Sequence, residues 1–223
     1  MNHEQAKETV DEIFNSIRTA TSNEHIDELI SGELYKNKMD SEAYPYLHFS
    51  LTPSEIQELI NSRLINSDGN ITPNISERDD LNPLTKLLYS VLWKNGDLKK
   101  IKHIVQGIQQ IDEPTSDKED GLVFYQFGKF LTKTGQPIID QHVLRAFAIY
   151  RTTDLHEVEQ LRWKGTLNKK DRPLIEDYKN WLKSNELTAE LRSEHEYSYH
   201  IDQLLFALGK TIKTSKRTRG NSR

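Results

Sequence analysis

The stretch Pro137-Ile138-Ile139-Asp140-Gln141-His142-Val143-Leu144-Arg145 brings an acid, an imidazole and a guanidinium into one short segment. Asp140 follows two apolar residues and opens an amphipathic run, where a carboxylate is costly unless something pairs or uses it. In the first turn of a helix it accepts free backbone N–H groups, and the helix dipole favours its anion. Such an anion can cap the helix or stabilise developing positive charge where water is excluded. His142 lies on a different helical face, and Arg145, five residues on, is also off the Asp140 face. The plain structural reading is a capping Asp140, a packed His142 and an Arg145 paired elsewhere.

Other candidate constellations are sparse. His195 and His200 are five apart, off the three-or-four spacing that sets two metal ligands on one helical face, and no third ligand sits at a recognisable spacing. No metal is expected. Asn66-Ser67-Asp68-Gly69-Asn70 reads as a β-turn, because the twelve-residue ligand pattern of a calcium loop is missing. Neither phosphate-cradling glycine motif is present, so no cofactor is expected. The chain contains no cysteine, which excludes thiol nucleophiles, iron–sulfur clusters and cysteine zinc sites.

The elements that must position these groups are helical. Val10, Ile13, Phe14 and Ile17 give residues 3–20 one apolar face. Thr52-Pro53-Ser54-Glu55 is a capping box with proline at the first helical position, opening a helix to about Leu64. Asn82-Pro83 opens another, with Leu84, Leu87, Leu88, Val91 and Leu92 as its face and Asn95-Gly96 as its end. Asp97 is the expected cap of the next helix, and Ser116 with Glu119 that of a helix running to about Thr134. Gly135-Gln136-Pro137 then turns the chain into a helix over about 139–151. Further helices are expected near 154–164, 171–184 and 188–209, the last ending at Gly209. Most aromatics, including Trp93, Phe124, Trp163 and Trp181, read as core by spacing. Alternating strand patterns are absent, so the fold class is all-α.

At 223 residues the chain can hold one large core or two smaller helical lobes. The loop at about 66–81 is the candidate boundary, giving lobes of 1–80 and 81–209 and a tail of 210–223. Six of the 30 lysines and arginines fall in Lys210–Arg223, which has no acid; all 34 acids lie in 1–209. The tail is predicted to be disordered in isolation and could attract phosphates through counterion release. No apolar run reaches the roughly 20 residues of a membrane span, and the polar start, Met1-Asn2-His3-Glu4, is unlike a secretory signal. A cytoplasmic location with no membrane partner is expected; oligomeric state is open.

The order around Asp140 resembles the helix-hairpin-helix DNA glycosylase superfamily, closest to bacterial proteins like 8-oxoguanine DNA glycosylases. The carrying residues are Gly128-Lys129-Phe130-Leu131, then a short turn, then Pro137 to Arg145. Leu92 to Leu98 and Tyr199 to Lys210 extend the resemblance over about residues 80–210. It implies two packed helical lobes with a nucleic-acid cleft and an aspartate that stabilises the cationic sugar or orients the nucleophile. Only Asp140 matches that role. Lys118 lies nearest the place of the family's amine nucleophile, out of register, and the segment Asp117 to Val123 has a single glycine among acids. The resemblance therefore implies a DNA glycosylase that uses water without lyase chemistry. Lys129, His142, Arg145, Lys213, Lys216, Arg217 and Arg219 are the candidate nucleic-acid contacts. The alternative is a non-catalytic nucleic-acid-binding or protein-interaction module on the same fold.

Overall fold

A computed structural model describes residues 1–113, 120–133 and 135–214. Its α-helices run in the order α1 (His3–Thr19), α2 (Asn23–Glu28), α3 (Gly32–Asn37), α4 (Pro53–Asn61), α5 (Pro83–Asn95), α6 (Leu98–Gln109), α7 (Leu122–Leu131), α8 (Gln141–Arg151), α9 (Leu155–Trp163), α10 (Arg172–Lys183), α11 (Ala189–Ser193) and α12 (Tyr197–Thr211). Among the described residues there is no strand, only an isolated antiparallel bridge between Ile65 and Ile71. The chain is all-α. No described helix is long and apolar enough to cross a membrane.

The chain forms two compact units. The first joins Met1–Tyr46 to Pro137–Arg223, and the second is Leu47–Gln136. The 66–81 loop expected to divide the chain lies inside the second unit. Ile65 and Ile71, at its bridge, pack with Ile56, Ile60, Val105 and Ile108, so apolar side chains tie this polar loop to α4 and α6.

In the first unit, α8 packs on α1, α9, α10 and α12. Its core is aromatic: Phe14 stacks on Tyr150 at 4.1 Å between ring centroids, and Phe147 meets Tyr178 edge-on at 5.1 Å and Trp181 at 5.6 Å. Burying such a ring contributes about 1.5–3 kcal/mol, whereas a helix cap contributes about 1 kcal/mol. Packing, not capping, therefore holds α8 in place, and its cap can change without unfolding the unit. Gly209 lies inside α12 where α8 crosses it; a Cβ there would collide with the carbonyl of His142. That crossing is close because Gly209 has no side chain.

In the second unit, α6 and α7 cross through paired glycines. A Cβ on Gly107 would strike the Tyr125 carbonyl, and one on Gly128 the Ile104 carbonyl. Thr52 forms the expected capping box of α4, with its backbone N–H donating to Glu55 at 2.8 Å. Asn82 caps α5, and Gly96 ends it in the left-handed conformation at φ 72°.

Three expectations need correction. Asp97 makes no cap bond to α6; its carboxylate pairs with Lys100 at 2.6 Å instead. The helix expected over 188–209 is broken into α11 and α12, because Glu196 adopts a left-handed backbone at φ 60° that an α-helix cannot pass through. The apolar face of α5 does not enter the core: Leu84, Leu87, Leu88 and Val91 are exposed, as is Trp93. The helix over 139–151 begins at Gln141, with Asp140 as its N-cap. The expected Ser116–Glu119 capping box falls outside the described residues.

Candidate functional site

The head of α8 is set by its own sequence. Asp140 has extended backbone angles (φ −126°, ψ 178°), and its Oδ1 accepts the N–H of His142 at 2.7 Å and of Val143 at 2.9 Å. These are two of the helix's otherwise unpaired donors. The second oxygen, Oδ2, meets no hydrogen-bond donor among the described residues, and the side chain is half-buried. One oxygen is thus fixed in space by two backbone amides.

His142 stands beside this carboxylate. Its ring meets Phe206 of α12 edge-on at 5.1 Å, and its Nδ1 lies 2.8 Å from Nη1 of Arg145. Burial holds the imidazole below its ordinary pKa; the charges of Arg145 and Lys213 push the same way, and Asp140 opposes them. A neutral ring in contact with a guanidinium presents Nδ1 as the acceptor.

Arg145 is not placed for nucleic acid. It is 1 % exposed; Nη1 donates to the Gly209 carbonyl at 2.8 Å and Nη2 to the Lys164 carbonyl. It staples α8 to α12 and to the end of α9, and burial lowers its pKa. Lys129 is likewise 1 % exposed, donating to the carbonyls of Ile111 and Glu113 just beyond α6 and lying over the Tyr125 ring. Both expectations of a phosphate contact are corrected for one reason. A buried cation costs too much unless fixed acceptors surround it, and here backbone carbonyls fill that place.

Lys213 is exposed, two residues past α12, and close enough for its charge to act on His142. Lys210 is also exposed, with its ammonium 5.9 Å from the centre of the Phe206 ring. Asp140, His142, Phe206, Lys210 and Lys213 therefore form one neighbourhood at the α8–α12 crossing: a carboxylate, two half-buried rings and two solvated cations. Lys118, Lys216, Arg217 and Arg219 lie outside the described residues. Among the described residues no group of three or more His, Asp or Glu is placed to hold a metal ion.

Sequence reasoning missed Phe206, Asp202 and the close crossing at Gly209. Asp202 carried a signal, because it is an acid on the apolar face formed by Ile201, Leu204, Leu205 and Leu208. Buried at 1 % exposure, it accepts the Tyr178 hydroxyl at 2.6 Å and the Ile138 backbone N–H at 2.6 Å. Burial drives its carboxyl well above the usual range, against these two bonds, and Asp140 adds to the upward push. Comparisons with family models, with curated proteins and with solved structures find no match to this chain.

Proposed function

We propose that this protein is a hydrolytic DNA N-glycosylase that releases a modified or damaged base, on a fold of the helix-hairpin-helix glycosylase kind. The observation that carries this reading is the divided role of the Asp140 carboxylate: Oδ1 is held by two backbone amides and Oδ2 has no hydrogen-bond partner among the described residues, beside half-buried His142 and Phe206. In the reaction the C1′–N bond breaks and its electron pair leaves with the base. The Asp140 anion stabilises the cationic sugar, water forms the new C1′–O bond, and the proton that water loses is balanced by protonation of the departing base. Electrostatic help of this kind is worth about 3–4 kcal/mol in a site that excludes water. An extruded base needs an aromatic surface to stack on, and Phe206 and His142 offer one. Lys210 and Lys213 supply the positive charge that a phosphate backbone requires.

A panel of duplex and single-stranded oligonucleotides carrying single damaged bases tests the reading by measuring free base released. The wild-type chain is expected to release at least one, and Asp140→Asn to lose release by 100-fold or more with DNA affinity kept. Equal release by both would end the proposal.

A non-catalytic module on the same fold is the second reading. It is favoured by the burial of Arg145 and Lys129, which removes two cations from any phosphate grip. DNA binding without release of any base across the panel would support it.

A further inference from the structure

A buried carboxyl group without a cationic partner among the described residues demands an explanation, because a polar group in the core is costly unless it is hydrogen-bonded. Asp202 sits at the centre of the first unit, and both of its oxygens are engaged. One bond, to Tyr178, joins α12 to α10. The other reaches the main chain at Ile138, two residues before Asp140. Ile139 between them is 1 % exposed, so the segment 138–140 is held by a side chain in the core and by an amide on the Asp202 carboxylate.

We infer that Asp202 is a positioning residue for Asp140: by clamping the Ile138 amide it fixes the extended entry into α8, so that Oδ1 of Asp140 meets the His142 and Val143 amides. This deepens the proposed glycosylase reading and rests on it for its catalytic meaning. One Asp202 oxygen accepts the Ile138 N–H, and the other pairs with the Tyr178 hydroxyl, which can donate or accept, so a carboxyl group satisfies both neighbours. An apolar side chain of similar size would leave the Ile138 amide with no acceptor, and that amide is fixed by the backbone, with no freedom to turn away.

The test compares wild type, Asp202→Leu and Tyr178→Phe in the full chain. Two readouts are used: base release, divided into kcat and KM, and hydrogen exchange at the His142 and Val143 amides. Asp202→Leu, which removes the acceptor, is expected to lower kcat at least tenfold with KM unchanged and to raise exchange at both amides at least tenfold. Tyr178→Phe, which leaves the Ile138 clamp in place, is expected to keep kcat within threefold and exchange near wild type. Should Asp202→Leu not fold, an ester in place of the Ile138 amide removes only the clamped N–H and is expected to reproduce both effects.

Unchanged amide exchange in Asp202→Leu or the ester would overturn the inference, as would an equal kcat loss in Tyr178→Phe, which marks a general structural role. Exchange does not depend on the reaction. A wild-type chain that releases no base defeats the glycosylase reading, while the clamp is still decided by the two amides.

Discussion

Two helices of the first unit begin with the same pattern, Asp-x-His. Asp140-Gln141-His142 opens α8 and Asp154-Leu155-His156 opens α9. Locally they behave alike: each aspartate sits in a non-helical conformation and accepts the N–H of the histidine two residues on, at 2.7 Å in α8 and 2.9 Å in α9. Beyond that bond they diverge. His156 is solvent-exposed and meets Gln160 of its own helix at 2.9 Å, whereas His142 is wedged between Arg145 and Phe206. The chain entering α9 is held by Thr152, whose hydroxyl accepts the Asp154 amide at 3.1 Å. The chain entering α8 is held by buried Asp202. A tripeptide is sufficient for a cap; a packed partner helix is needed to turn the cap into a candidate site.

That contrast can be broken most sharply at the two aspartates. Asp140→Asn is expected to reduce base release by 100-fold or more, and Asp154→Asn to leave it within twofold, in the same assay of freed base. Similar effects of the two substitutions would make Asp140 an ordinary cap.

A second test separates the close crossing from the open helix end. Gly209→Ala forces α12 away from the His142 carbonyl and is expected to cost about 1–3 kcal/mol, read as a lowered Tm. Gly165→Ala, just past α9, meets nothing within 4 Å and is expected to be neutral or stabilising by about 0.4–1 kcal/mol. A smaller loss is expected from removing a solvated cap: Asp154→Ala should cost about 1 kcal/mol in urea unfolding, with no change in DNA affinity.

The smallest effect concerns pH. Burial holds the His142 pKa in the folded chain below its unfolded value near 6.5. The folded state then binds fewer protons than the unfolded one as acid is added. The stability linked to His142 is full above about pH 6.5 and is lost as pH falls from there towards the lowered folded value. Urea midpoints at pH 7.5 and 5 are expected to fall less in His142→Gln than in wild type; an equal fall would place the imidazole in water, like that of His156.

Most helix starts could be read from the chain, because caps are local chemistry: Thr52 with Glu55, Asn82 with Pro83, and Asp140 each act within four residues. Features that depend on distant partners could not. The α5 face has the spacing of a core stripe, yet Leu84, Leu87, Leu88 and Val91 face outward, since periodicity reports a face and not what covers it. Lys129 and Arg145 read as surface cations, but the carbonyls that bind them come from the chain after α6 for one and from α12 and the end of α9 for the other. Glu196 breaks a run of good helical spacing through a backbone angle that its residue type does not announce. For the site, Asp140 and His142 were legible. Phe206 and the clamp at Asp202 needed α12 to be laid beside α8.

The glycine pair between α6 and α7 has a consequence for motion. Gly107 and Gly128 each sit against the partner's main chain, and a Cβ at either would overlap a carbonyl. Sliding one helix by a single residue would carry Ile108 or Phe127 into that contact, where no side chain fits. Two packed helices usually retain some freedom to shear past one another. Here the crossing permits a single register, so any rearrangement of the second unit must carry α6 and α7 as one rigid piece.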